Sequence, residues 1–202
     1  MPVVRSAGAS APADAFRTAL NQLYADFNHP ESAFDPIQVV RRYDRLDDRE
    51  IIAFIAAGLA FGRVASVVAS IEAVCAVLGP APAAAVRKFD PVRDGARLLP
   101  LVHRWIKGRD LVALLWMLRQ MLDEAGSLEA YFAKGWAEGA SDVSEALESF
   151  STRARTIDLK PAYGRVPRLR RGATARQAPG VYFFFSRPSS GGACKRLNLF
   201  LR

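Results

Sequence analysis

The sequence predicts an all-α, multi-helical single domain, and three observations carry that prediction. Apolar residues recur at helical spacing through most of the chain from Ala13 to Phe150. Helix start signals stand ahead of those runs: Asp35-Pro36, Asp47 with Glu50, Ser127, and Asp142 with Glu145. The short aromatic run Val181-Tyr182-Phe183-Phe184-Phe185 could form a strand, but no second strand is evident to pair with it. About eight or nine helices are expected.

Residues 1–13, rich in Ala, Pro and Ser, read as a disordered lead. A helical body is expected over 14–152. Phe16, Leu20, Leu23, Tyr24 and Phe27 form one face of its first helix, which Asn28-His29-Pro30 ends. Asp35 at the N-cap and Pro36 at the first helical position start a short helix, Ile37 to Tyr43. Asp47 and Glu50 read as a capping box for a helix carrying Ile51, Ile52, Phe54, Ile55, Leu59 and Phe61. That helix is apolar nearly all round, so it should be buried. Gly62 breaks it, and Val64 to Leu78 forms the next helix, closed by Gly79-Pro80. Pro82 to Lys88 is a short helix, and Leu98 to Trp105 is expected to make a helical turn.

Asp110 opens a strong helix through Leu122, with Leu111, Leu114, Leu115, Leu118 and Met121 on one side. Ser127 starts a helix carrying Leu128, Tyr131, Phe132 and Trp136. Asp142 and Glu145 start another, carrying Val143, Ala146, Leu147 and Phe150. Residues 153–186 then read as a basic irregular loop, with the aromatic run docked on the core as an extended segment. Residues 187–202 read as the start of a C-terminal helix with an apolar stripe at Leu197, Phe200 and Leu201. That stripe needs a partner surface, which makes it a candidate protein contact.

The net charge of +8 is unevenly placed. Residues 1–150 hold 16 Lys+Arg against 19 Asp+Glu, whereas residues 151–202 hold 12 against the single acid Asp158. Such a block is either the footprint of a polyanion or a solvated basic connector. Ten of its twelve basic residues are Arg, which pairs with phosphate through two parallel hydrogen bonds. Arg165, Arg168, Arg170 and Arg171 are the candidate nucleic-acid contacts in the loop. Gly191, Gly192, Lys195 and Arg196 are the candidates at the last helix, where free N–H groups and two cations favour an anion.

Other chemistry is sparse. Two Cys and two His, widely spaced, give no metal-ligand pattern and no disulfide framework, and no cofactor is implied. Cys194, beside two cations, is either a thiolate nucleophile or a small packed residue. His103-Arg104-Trp105 either meets phosphate and base or places Trp105 in the core with charges beside it. Arg63 follows Gly62, either at the edge of a pocket or capping the preceding helix. Arg63, His103, Arg104 and Trp105 are therefore the candidate pocket residues. There is no convincing secretory signal, and no apolar run reaches the roughly 20 residues that span a bilayer, so the expected compartment is the cytoplasm, with no membrane partner.

Asp35-Pro36-Ile37, the stretch from Asp48 to Val64, His103-Arg104-Trp105, Ser127-Leu128-Glu129 and above all Ala193 to Arg202 carry a family likeness. From about Ala13 to its end the chain resembles an uncharacterised bacterial family, the domain of unknown function 2400. The resemblance brings no assigned activity. Members of that family usually continue past the Leu199-Phe200-Leu201-Arg202 position into a Pro-Leu-Asp-x-His segment. That segment is similar to the one that holds the catalytic Asp of helix-hairpin-helix DNA glycosylases. The resemblance thus implies a fold related to those enzymes and a domain incomplete at its C-terminal end. It implies base processing in longer relatives, and DNA binding without catalysis here. The glycosylases' Leu-Pro-Gly-x-Gly hairpin is not seen. The alternative is a helical protein–protein interaction module whose basic segment is a disordered connector.

Overall fold

The computed structural model describes residues 11–27, 35–164 and 178–202. Ten helices make up nearly all of the regular structure among them. They are α1 (Ala11–Phe27), α2 (Ile37–Arg41), α3 (Leu46–Leu59), α4 (Val64–Leu78), α5 (Pro82–Arg87), α6 (Gly108–Ala125), α7 (Leu128–Ala133), α8 (Ser144–Ala154), α9 (Lys160–Tyr163) and α10 (Lys195–Leu201). A two-residue antiparallel pair, β1 (Val102–His103) and β2 (Ile106–Lys107), precedes α6.

Two helices organise the core. On α3, Ile51, Ile52, Phe54, Ile55 and Leu59 are all buried, and α2, α4, α5 and α10 pack around them. A helix without a polar face can satisfy its surface only against other helices. Phe54 lies 5.5 Å from Phe185, 6.1 Å from Phe150 and 5.2 Å edge-on from Phe200, ring centre to ring centre. On α6, Leu111 through Leu122 face α5, α7, α9 and the segment around Phe184.

The acids at the start of α3 cap other helices. Arg45, with no side-chain cap bond, stands at the N-cap of α3, so Asp47 and Glu50 do not form the expected capping box. Asp47 instead accepts from the Asp48 amide and pairs with Arg45. Buried Asp48 accepts the Ala83 amide at the start of α5, at 2.8 Å. Glu50 accepts the amides of Leu128 (2.9 Å) and Glu129 at the start of α7. Ser127 caps the same helix as expected, accepting from Ala130 at 2.9 Å. Orphan N–H groups of two helices are thereby satisfied by carboxylates of a third.

Several expectations are corrected. Phe61 and Trp136 lie outside helices: α3 ends at Leu59 and α7 at Ala133. Residues 98–105 do not form a helical turn. A 3-10 turn at Gly95–Arg97 leads instead into the β1–β2 hairpin, pinned by the buried ring of His103. Helix α8 runs to Ala154 and α9 follows, so the segment after residue 152 is partly helical.

The aromatic run is docked on the core, but as a 3-10 turn over Gly180–Phe184 rather than an extended strand. Its carbonyls are held from α8's end: Arg155 Nε donates to the Phe185 carbonyl at 2.9 Å and its Nη2 to that of Tyr182 at 3.2 Å. Gly58 makes room for the Phe184 ring, since a Cβ there would lie 2.4 Å from Phe184 Cδ1. Glu148 then accepts the amide and hydroxyl of Ser189, at 2.9 and 2.8 Å, and ties the next turn to α8.

The stripe on α10 has its partner inside the chain. Leu197 is buried and Phe200 rests on Phe54 of α3, while Leu201 is 39% exposed. The stripe is therefore covered in part by the chain itself, through Leu197 and one side of Phe200. Among the described residues, no helix is long and apolar enough to cross a membrane.

Candidate functional site

The end of α3 and the β1–β2 hairpin build a cluster of aromatic rings and arginines at the surface. Phe61 is released from helix by the break at Ala60–Gly62, where Gly62 takes φ +110°. Its ring meets three others. His103 lies edge-on at 4.6 Å, Trp105 stacks on it at 4.6 Å with 22° between planes, and Phe183 lies edge-on at 5.1 Å. Trp105 also touches Phe183, at 5.3 Å and 85°. His103 and the 3-10 turn carry the cluster's inner side, and Trp105, 54% exposed, forms its outer side.

Local chain geometry explains the display. His103 pairs with Ile106, so Arg104 and Trp105 are the two residues of a tight hairpin turn. Such turns need a positive φ, and Arg104 takes φ +54° although it has a side chain. A left-handed residue of this kind costs roughly 1–2 kcal/mol. The Arg104 guanidinium lies over Gly62, where a Cβ would come within 2.8 Å of Arg104 Nε. Gly62 is thus needed twice, for its backbone angle and for this close approach.

His103 anchors the hairpin. Its Nε2 is 3.0 Å from the Phe61 carbonyl, and a carbonyl only accepts, so Nε2 carries hydrogen. Its Nδ1 is 2.8 Å from Ser70 Oγ of α4. In the neutral ring Nδ1 accepts the Ser70 hydroxyl hydrogen, for which the Ser66 carbonyl at 2.8 Å is the other acceptor. Both ring nitrogens are used, and they tie the hairpin to the segment after α3 and to α4.

Arg196 enters from α10. Its guanidinium carbon is 3.6 Å from the centre of the Phe183 ring and 5.2 Å from that of Phe61. Burial pulls this guanidinium below its ordinary pKa, and its Nε is buried without a hydrogen-bond partner among the described residues. Cys194, just before it, takes φ +46°. Arg104 and Cys194 are the non-glycine residues with positive φ among those described, and both adjoin this cluster.

Of the pocket candidates, His103, Arg104 and Trp105 meet at this cluster. Arg63 is exposed at the N-cap of α4. Of the nucleic-acid candidates, Gly191, Gly192 and Lys195 are exposed, whereas Arg196 is half-buried against rings rather than solvated. Arg165, Arg168, Arg170 and Arg171 lie outside the described residues. Cys194 is buried, with Sγ 3.6 Å from the Gly192 carbonyl, which is the packing role. Trp105 does not take the core position. Among the described residues, no three His, Cys, Asp or Glu gather as metal ligands.

Little in the sequence marks Phe61, Ser70 or Phe183 as site residues. The Phe61-Gly62 junction at a helix end and the aromatic run were their only traces. Asp110, close by in the chain, is not a free acid: it accepts the Lys107 amide at 2.9 Å and the Tyr163 hydroxyl at 2.5 Å.

Fold and site together define a compact helical protein that displays an arginine–aromatic cluster on a strained turn. The chain belongs to the family described as "Protein of unknown function (DUF2400)", whose match covers residues 35–202. No curated protein and no solved structure matched the chain.

Proposed function

We propose that the protein binds nucleic acid, with Trp105 as a stacking platform for an unpaired base and nearby arginines as backbone contacts. One observation carries this reading. A Trp ring more than half exposed is held face to face on Phe61, on a turn whose strained first residue is a cation. Strained backbone concentrates where function requires it, and an exposed ring beside Arg suits any base, because every base has a π face. Arg104, Arg63 and Lys195 are exposed and free to reach phosphate, and the basic segment containing Arg165, Arg168, Arg170 and Arg171 adds charge for capture.

The reading stops at binding. Asp110, the acid nearest the hairpin in the chain, is engaged by Lys107 and Tyr163. Fluorescence anisotropy of a labelled single-stranded oligonucleotide tests the proposal. Trp105→Ala should weaken binding by about 1–3 kcal/mol, the worth of one stacked base. Arg104→Ala should lower the slope of log affinity against log salt by about 1. Affinity indifferent to both substitutions and to salt would overturn the proposal.

A further inference from the structure

We infer that α1 is an intramolecular strap whose apolar stripe seats in the groove between α2, α3 and α10 of its own chain. Two unmatched apolar surfaces lead to this. On α1, Phe16, Leu20, Leu23, Tyr24 and Phe27 fall on one helix face, and all five are about half exposed or more. On the body, a cavity of about 700 Å³ is lined by Val40, Leu46, Ala53 and Phe200 together with six polar or charged residues, Arg49, Glu50 and Arg202 among them. Leu46 there is 78% exposed at the first position of α3. Apolar surface left open on both sides favours their meeting.

Chain length selects the occupant. Seven residues separate Phe27 from Asp35, and fully extended they reach at most roughly 25 Å. Val40 and Leu46, two walls of the groove, follow closely in the chain, on α2 and at the start of α3. The stripe itself, from Phe16 to Phe27, is about 17 Å long. A helix on so short a tether faces the groove at an effective concentration of order millimolar. A second copy at micromolar concentration competes at a disadvantage of about a thousandfold. The strap also accounts for the amphipathic pattern of α1, which lies ahead of the family match at residue 35.

Crosslinking of the full chain tests this. Leu46→Cys is combined with Leu23→Cys on the stripe, or with Ala25→Cys on the opposite face of α1. The native Cys75 and Cys194 are buried. A short bismaleimide is added at about 1 and about 100 μM protein. The expected result is an intrachain link from the Leu23 position, formed about tenfold faster than from Ala25 and at a rate independent of protein concentration. Equal rates from both faces would overturn the strap. So would links that form only between chains and grow with concentration, which would give the groove to a second copy. Absence of any link would overturn it too.

Discussion

Arg196 stacks on Phe183 with its guanidinium carbon 3.6 Å from the ring centre, which joins the last helix to the 3-10 turn that carries the core's aromatic run. Cation–π contacts contribute about 0.5–1 kcal/mol when exposed and about 2 when desolvated. Partial burial of Arg196 places it toward the upper end. Arg196→Met, which keeps the stem and removes the charge, should lower stability by about 1–2 kcal/mol in urea melts. Arg196→Lys should recover only part of the loss, because the planar group is what stacks. Equal stability of all three chains would count against the stacking.

Gly58→Ala sets two effects against each other. Replacing a mid-helix Gly gains about 1 kcal/mol of helix propensity. The new Cβ, however, would lie 2.4 Å from Phe184 Cδ1, and the ring would have to move within a packed core. Overpacking costs about 1–3 kcal/mol, so net destabilisation is expected, with a melting temperature lower by several degrees. A higher melting temperature would mean that the Phe184 ring is not seated over α3.

Glu50→Ala should remove the cap of α7 and cost about 1–2 kcal/mol, because two amides lose a charged acceptor. Asp47→Ala, three residues away, should stay within about 0.5 kcal/mol, since its pair with Arg45 is at the surface. The difference between the two urea midpoints is the measurement. Similar losses would return Asp47 to the capping role that its sequence position suggests.

Alkaline stability should depend on Tyr163. Burial first, then the hydrogen bond to Asp110, pushes its phenol above the ordinary value. The folded state therefore keeps a proton that the unfolded chain releases near about pH 10. The stabilisation is whole below that pH and is lost as pH rises toward the folded value. Tyr43, raised by burial as well, acts with the same sign. Urea midpoints of the parent should fall steeply between about pH 9.5 and 11, and those of Tyr163→Phe less steeply. Parallel slopes would remove Tyr163 from the effect.

The helices were legible because their signals are local. Ile51 to Leu59 has no polar face, and Ser127 caps the helix that it precedes. The hairpin was not legible, because what makes it is a distant bond, His103 to the Phe61 carbonyl, 42 residues away. The same holds for Glu50, whose position three residues after Asp47 suggested a local box while its carboxylate serves residues 78 and 79 positions on. At the site, His103, Arg104 and Trp105 could be picked out from charge beside aromatic. Phe61 and Phe183 could not, since only folding turns two ordinary core residues into the floor beneath Trp105.

The start of α3 bears on how the molecule opens. Asp48 and Glu50 hold the starts of α5 and α7, so fraying of α3 through its second turn strips acceptors from amides on two other helices at once. Amide exchange with deuterium at Ala83, Leu128 and Glu129 should then follow a shared opening rather than three separate ones. The starts of α3, α5 and α7, remote from one another in sequence, should behave as a single cooperative unit that comes apart together.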